Sequence, residues 1–318
     1  MPFIIRSYTD GDRERVIRLS QSVYAGKTGS FSLVEQIDGK RMLKQVVAAD
    51  AETGHIAGYA LLSEQVAPMI RLRLELIMEE PYTDATLAHE LYDKVEQEVG
   101  RLAPYAVEAR VFASDRIAIG FFEQKGFVCN HRMEQQKLHV PEANIEPFVQ
   151  TEKELQHVGI RIATLSEERA LRPDCMEELE RLVLETYPDF PNELPSRFRT
   201  PNTDASWLRR ADLLAEAFFI AGHGTRYVGY SQLEQGLESS SLIQGSTAVS
   251  RAYTKRGIAT ALKIRGIQFA ARRGCDTIYT SNRSNNGPMG RVNAKLGWRV
   301  FESEMRMQRI VNSGRGLE

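Results

Sequence analysis

Apolar and polar residues recur with the period of a helix over residues 257–273. Apolar positions there are spaced by three and four, which indicates an amphipathic helix with one buried face. We expect the basic side chains to lie largely on its outer face. The apolar face carries Ile258, Ala261, Leu262, Phe269 and Ala270, and the outer face Lys263, Arg265, Arg272 and Arg273.

Segments rich in β-branched and aromatic residues precede and follow this helix, and such segments favour strands. Their order predicts a mixed α/β fold on a central sheet. The predicted strands cover residues 160–165, 217–222, 226–233, 242–250 and 277–281 and continue from Trp298, and a short helix covers 288–295.

A repeat underlies this order. Gly58-Tyr59 recurs as Gly229-Tyr230, Tyr82-Thr83 as Tyr253-Thr254, and Gly126-Phe127 as Gly297-Trp298. The differences 229 − 58, 253 − 82 and 297 − 126 all equal 171. Three matches in one register indicate a tandem duplication, with domains 1–150 and 151–318. The second copy is longer before its Gly-Tyr pair, and we assign the extra residues to the proline-rich stretch 187–201.

Composition narrows the class of protein. The 318 residues are 42% hydrophobic and 26% charged, as in globular domains, and the formal net charge of −1 argues against a nucleic-acid partner. A charged N-terminus and the lack of a run of about 20 apolar residues argue against a signal peptide and a membrane partner. The three cysteines form no metal-ligand spacing, so no metal is expected. We expect a cytoplasmic protein.

The segment 250–262 joins a strand to the helix. The free N–H groups and the positive dipole end of a helix start receive anions. Gly257 allows a phosphate to approach the backbone, and Lys255 and Arg256 add positive charge beside it. By itself this pattern also fits an ordinary solvated helix start.

The wider stretch 247–298 resembles the acetyl-CoA-binding core of the GCN5-related N-acetyltransferases (GNAT), in order and on the expected elements. Thr254 departs from that pattern, because it stands where the family has Arg or Gln. The matching residues are Val249, Gly257, Ala259, Leu262, Gly274, Thr280, Asn282, Asn286, Pro288, Met289, Asn293, Leu296 and Gly297.

The resemblance implies acetyl-CoA as co-substrate and direct attack by an amine. The pantetheine arm would run beside the strand, and a backbone N–H would stabilise the oxyanion. Asn286 would contact the cofactor arm, or it is a plain N-cap residue. The implied cofactor-binding residues are Thr247, Val249, Lys255, Arg256, Gly257, Ile258, Ala259, Thr260 and Asn286.

The acid and base are less defined. GNAT enzymes often place a general-acid Tyr four residues before the closing Gly, and Asn293 occupies that position here. Asparagine does not supply a proton, so water or another residue would protonate the thiolate. Glu234 and Glu238 are candidate bases, or solvated carboxylates at a strand end. We interpret Tyr230 as core packing.

The first copy lacks the features of this loop. Thr86 stands at the position of Gly257, Asp84-Ala85 replaces the basic pair, and Glu79 and Glu80 add negative charge. We therefore expect residues 1–150 to form a degenerate GNAT-like domain without cofactor, and residues 151–318 the acetyl-CoA-binding catalytic GNAT domain. An active first site is the alternative.

Two functions remain open. The first is an acetyl-CoA-dependent N-acetyltransferase acting on a primary amine of a small molecule or peptide, in a layout similar to mycothiol synthase-like tandem GNAT proteins. The second is a non-catalytic acyl-CoA sensor. We expect the two domains to pair within the chain, which would be a monomer or a homodimer.

Overall fold

A computed structural model describes residues 3–24, 41–66, 71–79, 85–190, 205–236, 238–312 and 314. Residues 80–84 of the first copy, with its Tyr82-Thr83 pair, and most of the proline-rich stretch lie outside these residues. The chain forms two compact units, one of Met1–Glu134 with Glu302–Glu318, the other of Gln135–Phe301.

The strands and helices follow the order that the sequence predicts. The strands are β1 (Phe3–Ser7), β2 (Met42–Asp50), β3 (Ile56–Val66), β4 (Arg71–Met78), β5 (Ala106–Phe112), β6 (Val128–His139), β7 (Ile160–Thr164), β8 (Phe218–His223), β9 (Arg226–Gln235), β10 (Ser241–Val249), β11 (Thr277–Arg283) and β12 (Arg299–Ile310). The helices are α1 (Arg13–Tyr24), α2 (Ala85–Leu102), α3 (Arg116–Gln124), α4 (Thr151–His157), α5 (Leu165–Leu171), α6 (Cys175–Thr186), α7 (Ile258–Arg272) and α8 (Gly287–Leu296).

The first unit has the strand order β1-β2-β3-β4-β5-β12, and the second has β6-β11-β10-β9-β8-β7. In each unit one pair of neighbours is parallel, β4 with β5 and β10 with β11, joined by the crossover helices α2 and α7. The other registered pairs are antiparallel. Apolar clusters fill the space between each sheet and its helices.

The two copies exchange their last strands. Residues 304–310 of β12, from the end of the chain, pair with 106–112 of β5 in the first unit. Strand β6, from the end of the first copy, lies next to β11 in the second unit. The chain passes between units inside β6 and again inside β12. The boundary at 150/151 refers to the repeat in sequence and stays a prediction.

The connector between the two copies, residues 141–156, is ordered. It runs through short turns into α4, and Leu155 of that helix is 2% exposed. Leu155 packs in one cluster with Ile258 and Ala261 of α7. The start of α7 is therefore supported by the connector.

A buried network of charges crosses the first unit. Glu108 of β5, 2% exposed, accepts hydrogen bonds from Arg71, Arg73 and Arg306, each at 3.3 Å. These arginines come from β4 and from β12, on either side of β5. Next to this group, Arg110 pairs with Glu75 at 3.3 Å and Glu304 at 3.7 Å.

Candidate functional site

Strands β10 and β11 separate in the second unit. Residues 241–243 of β10 pair with 277–279 of β11, where the register ends. On its other edge, β10 stays paired with β9 as far as Val249, opposite Gly229. Thr247 and Val249, both predicted to bind the cofactor, therefore lie on a stretch whose second edge has no strand register in the described part of the chain.

Side chains hold the bulge that precedes this stretch. The Thr280 hydroxyl donates to the backbone carbonyl of Gln244 at 3.1 Å. The amide of Gln244 donates to Ser231 Oγ at 3.1 Å, and the hydroxyls of Ser231 and Thr247 lie 2.9 Å apart. Because the Thr247 side chain is engaged inside the sheet, its backbone is the part that can meet a ligand.

The turn into α7 has a left-handed backbone. Lys255 has φ +62° and Gly257 φ +84°, and Gly257 is the N-cap of α7. The first N–H groups of a helix have no acceptor within it, so those of Ile258, Ala259 and Thr260 are available to an anion. A Cβ on Gly257 would lie 2.9 Å from the Thr151 methyl, so the position has room for no larger side chain.

Basic side chains surround this turn. Lys255 and Arg256 are exposed. The Arg256 guanidinium lies 5.0 Å from the ring centroid of Tyr253, whose hydroxyl is 2.9 Å from His223 Nδ1. Arg251 donates to Asp189 at 2.7 Å and is thereby partly neutralised. The free positive charge lies at the start of α7.

Asn286 is the N-cap of α8, but its side chain makes no capping hydrogen bond. It is half-buried. A plain capping role, one of the two interpretations of this residue, therefore finds no support in the side-chain geometry, and the amide can contact a ligand.

Asn293 is 1% exposed and donates to Gln136 Oε1 at 2.8 Å. Its Oδ1 is buried without a hydrogen-bond partner in the described residues. A neutral amide held in this way has no proton to give, which agrees with the chemistry expected of asparagine. Any acid must be another group.

The two candidate bases differ in setting. Glu234 is half-buried, accepts from Gln232 at 3.0 Å and lies 3.1 Å from where a Cβ on Gly245 would stand, beside the bulge. Glu238 is exposed in the turn between β9 and β10. Glu234 therefore lies beside the bulge of β10, whereas Glu238 hydrogen-bonds through its backbone to Ser241 at the start of that strand. Tyr230 is buried and stacks on Phe218, as core packing requires.

The expectation that Lys263 lies on the outer face of α7 is wrong. Lys263 is 2% exposed and faces Trp298. The helical period assigned it outward because a charge is rarely buried. Its place four residues before Ile267 and seven before Ala270, both buried, was the available signal, since residues at these spacings share one face.

The corresponding part of the first unit differs. Residues 71–74 of β4 pair with 106–109 of β5, and the buried charges of Arg71, Arg73 and Glu108 occupy this parallel pair. Glu79 lies 2.5 Å from His55. The loop residues Glu80 and Asp84 lie outside the described part of the chain, and Thr86 is inside α2.

Neither a metal-binding cluster nor a membrane-spanning helix is found among the described residues. No group of three or more His, Cys, Asp and Glu side chains there could hold a metal ion. None of the helices described is long and apolar enough to cross a membrane.

Comparison with known structures assigns the fold. A GCN5-related N-acetyltransferase from Sphaerobacter thermophilus is similar with TM-score 0.70 at 19% identity, over 98% of this chain and 96% of that one. A tandem GNAT protein from the clavulanic acid biosynthesis pathway is similar with TM-score 0.69 at 15% identity, over 98% and 99%. The predicted fold class, two tandem GNAT domains on mixed sheets, is confirmed.

A third similar structure belongs to a longer chain. The GCN5-related glucosamine N-acetyltransferase region of a fungal multi-domain GH3 β-N-acetylglucosaminidase aligns with TM-score 0.72 at 14% identity. The alignment covers 97% of this chain and 38% of that one. A comparison with curated protein sequences finds no significant match.

The sequence itself matches a family model. Residues 176–298, which include β8–β11 and both α7 and α8, match the acetyltransferase (GNAT) family. Acyl transfer is the general activity of that family. The second unit of this chain therefore carries a domain of the acetyltransferase (GNAT) family.

Proposed function

We propose that the protein is an N-acetyltransferase that moves an acetyl group from acetyl-CoA to a primary amine of a small molecule or peptide. The observation that carries this proposal is that two features occur in the same unit. One is the edge of β10 that has no registered partner at residues 247–249 in the described part of the chain, and the other is the left-handed turn at Gly257. One would receive the pantetheine arm and the other the pyrophosphate.

In the proposed complex, the N–H groups of Ile258, Ala259 and Thr260 bind the pyrophosphate, and Lys255 and Arg256 neutralise its charge. Both basic side chains are exposed before binding, and Arg256 also donates to the backbone carbonyl of Ala252 at 3.3 Å. Asn286 contacts the arm with an amide that makes no capping bond.

The chemical step in this proposal is direct attack by the acceptor nitrogen on the thioester carbon. A backbone N–H of 247–249 stabilises the oxyanion. Glu234 takes the amine proton, because it is the candidate carboxylate that lies beside the bulge of β10. The site mainly aligns two substrates.

The acceptor side is expected near α6, where two carboxylates, each paired with an arginine, can accept hydrogen bonds from an amine. Asp189 pairs with Arg251 there, and the Ser250 hydroxyl lowers the pKa of Glu185 through a hydrogen bond, so that carboxylate is ionised. A similar structure is a glucosamine N-acetyltransferase region, so amino sugars belong in the test panel beside peptide and polyamine amines.

The test has a binding and a turnover part. Calorimetric titration with acetyl-CoA is expected to show binding that Gly257→Glu removes. Release of CoA thiol should then depend on an amine from the panel. A protein that does not bind acetyl-CoA would contradict the proposal.

A non-catalytic acyl-CoA sensor is the second candidate, and the buried amide of Asn293 at the acid position favours it. A sensor would bind acetyl-CoA without thiol release on any amine. Cytoplasmic location, pairing of the domains and a monomeric or homodimeric state stay predictions, which fractionation and light scattering can test.

A further inference from the structure

Lys263 lies where α7 packs against α8 in the second unit. Its Nζ is 4.8 Å from the ring centroid of Trp298. The backbone N–H of Trp298 donates to the backbone carbonyl of Asn293 at 3.1 Å. Trp298 therefore contacts the buried lysine through its ring and the residue at the family's acid position through its backbone.

This neighbourhood contains polar atoms without partners. Asn293 Oδ1 and Trp298 Nε1 are both buried and make no hydrogen bond within the described part of the chain. Native proteins seldom leave such atoms unpaired unless water or a ligand meets them. The surroundings of Lys263 thus suit a polar ligand group.

Lys263 also lies near the point at which the parallel strands β10 and β11 separate and a gap opens. Trp298 packs in one cluster with Leu242 of β10 and Ile278 of β11. Lys263 follows Ala259 by about one helical turn, so both lie on one face of α7. In the proposed complex the cofactor arm leaves the amides at Ala259 and enters this gap.

The amine can change its charge near neutrality. Burial lowers the pKa of Lys263 to about 7, and no neighbouring charge contributes to that shift. Its cation–π contact with Trp298 stabilises the protonated form only in part. The charged and titratable side chains on the surrounding elements, which are exposed or engaged elsewhere, are Arg265, Arg291, Lys295, His139, Glu142 and Tyr279.

We propose that Lys263 donates the proton that the CoA sulfur takes up when the tetrahedral intermediate collapses, a step that rests on the function proposed above. The C–S bond breaks and its electron pair stays on sulfur. One proton moves from the Lys263 ammonium to that sulfur, which leaves CoA thiol and a neutral amine. The acceptor nitrogen gives its own proton to the base, and solvent reprotonates Lys263.

This role explains why the buried Lys263 has no acidic partner among the residues that the structure describes. An acid whose pKa lies near the working pH is efficient, and its neutral form is stable in an apolar site. A salt-bridged lysine would hold its proton too firmly. Lys263 thus supplies what Asn293 lacks.

The first experiment measures ionisation of bound CoA by the ultraviolet absorbance of its thiolate as pH rises. The sulfur and an ammonium of pKa about 7 should titrate as a coupled pair, so the thiolate absorbance of wild type should begin to rise at lower pH than that of Lys263→Met. Lys295→Met, which removes an exposed lysine on α8, is the matched control and should behave as wild type.

The outcomes separate the two proposals. If wild type does not bind CoA, the proposed acetyltransferase function fails. If CoA binds and its thiol titrates alike in wild type and Lys263→Met, the role of Lys263 is overturned. Weaker CoA binding at every pH without a change in thiol pKa also overturns it, because it indicates a phosphate contact.

Turnover gives a second readout. With an active acceptor, Lys263→Met is expected to lower kcat about 100-fold and to remove the fall in kcat above pH 7. Adding Asn293→Tyr to that variant should restore turnover and move the fall to higher pH. A variant that keeps the wild-type pH profile contradicts the proposal.

Discussion

Gly58 and Leu91 lie so close that a Cβ on Gly58 would stand 2.7 Å from Leu91 Cδ1. The counterpart 171 residues later is Gly229 with Leu262, where the Cβ would stand 3.4 Å from the leucine and 3.0 Å from Ile258. In both units the crossover helix thus packs directly on a glycine of the neighbouring strand. This contact accounts for the repeated Gly-Tyr pair.

The first prediction concerns this contact. Gly229→Ala should lower the free energy of unfolding by about 1–3 kcal/mol, because the added carbon meets Ile258 and the fixed carbonyl of Ala248 at 3.3 Å. Chemical denaturation measures this. Gly120→Ala, in α3 with nothing within 4 Å, should instead stabilise by about 0.5–1 kcal/mol.

The second prediction separates strain from contact at the α7 turn. Gly257→Ala should cost about 1–2 kcal/mol for its positive φ, and more for the Thr151 methyl 2.9 Å away. Gly274→Ala has φ +70° but nothing within 4 Å, so it measures strain alone. Acetyl-CoA binding should weaken only in the Gly257 variant. Equal losses of affinity would contradict the phosphate-binding turn.

The third prediction is the stoichiometry of acetyl-CoA. One molecule should bind per chain, because the left-handed glycine turn and its basic residues occur in the second unit, whereas Thr86 and the buried charges around Glu108 occupy the matching elements of the first. Isothermal titration calorimetry counts the sites. Two equivalent sites would contradict the degenerate first domain.

The fourth prediction concerns the buried charges. Glu108→Ala leaves Arg71, Arg73 and Arg306 without their shared carboxylate and should lower stability by about 3–5 kcal/mol. Glu98→Ala removes an exposed i,i+3 pair with Arg101 and should change it by less than about 1 kcal/mol. If Glu108→Ala and Glu98→Ala lowered the free energy of unfolding equally, the buried network would contribute no more to stability than an exposed ion pair.

The fifth prediction is a pH dependence of stability. The pKa of Lys263 falls from 10.5 to about 7 on folding, so between these values the unfolded chain binds more protons and stability rises with pH. Lys263→Met should therefore raise Tm most at pH 7 and below. The gain should shrink as pH approaches 10. A gain independent of pH would indicate packing alone.

Local features of the site could be predicted from the sequence. Gly257 and the basic pair identified the α7 turn, because a phosphate-binding turn needs particular residues at fixed spacing. Lys263 could not be placed, since periodicity assumes that charges face solvent. The partners of β6 and β12 could not be predicted either, because an alternating strand pairs equally well with either copy.

The exchange of final strands has a consequence for synthesis on the ribosome. Strand β5 emerges early, but β12, the strand that covers its edge, follows it only after the whole of β6–β11. An uncovered edge is a site for wrong pairing and aggregation. The first unit therefore waits for β12 before its sheet is complete, so translation of the two halves as separate chains would leave the edge of β5 uncovered.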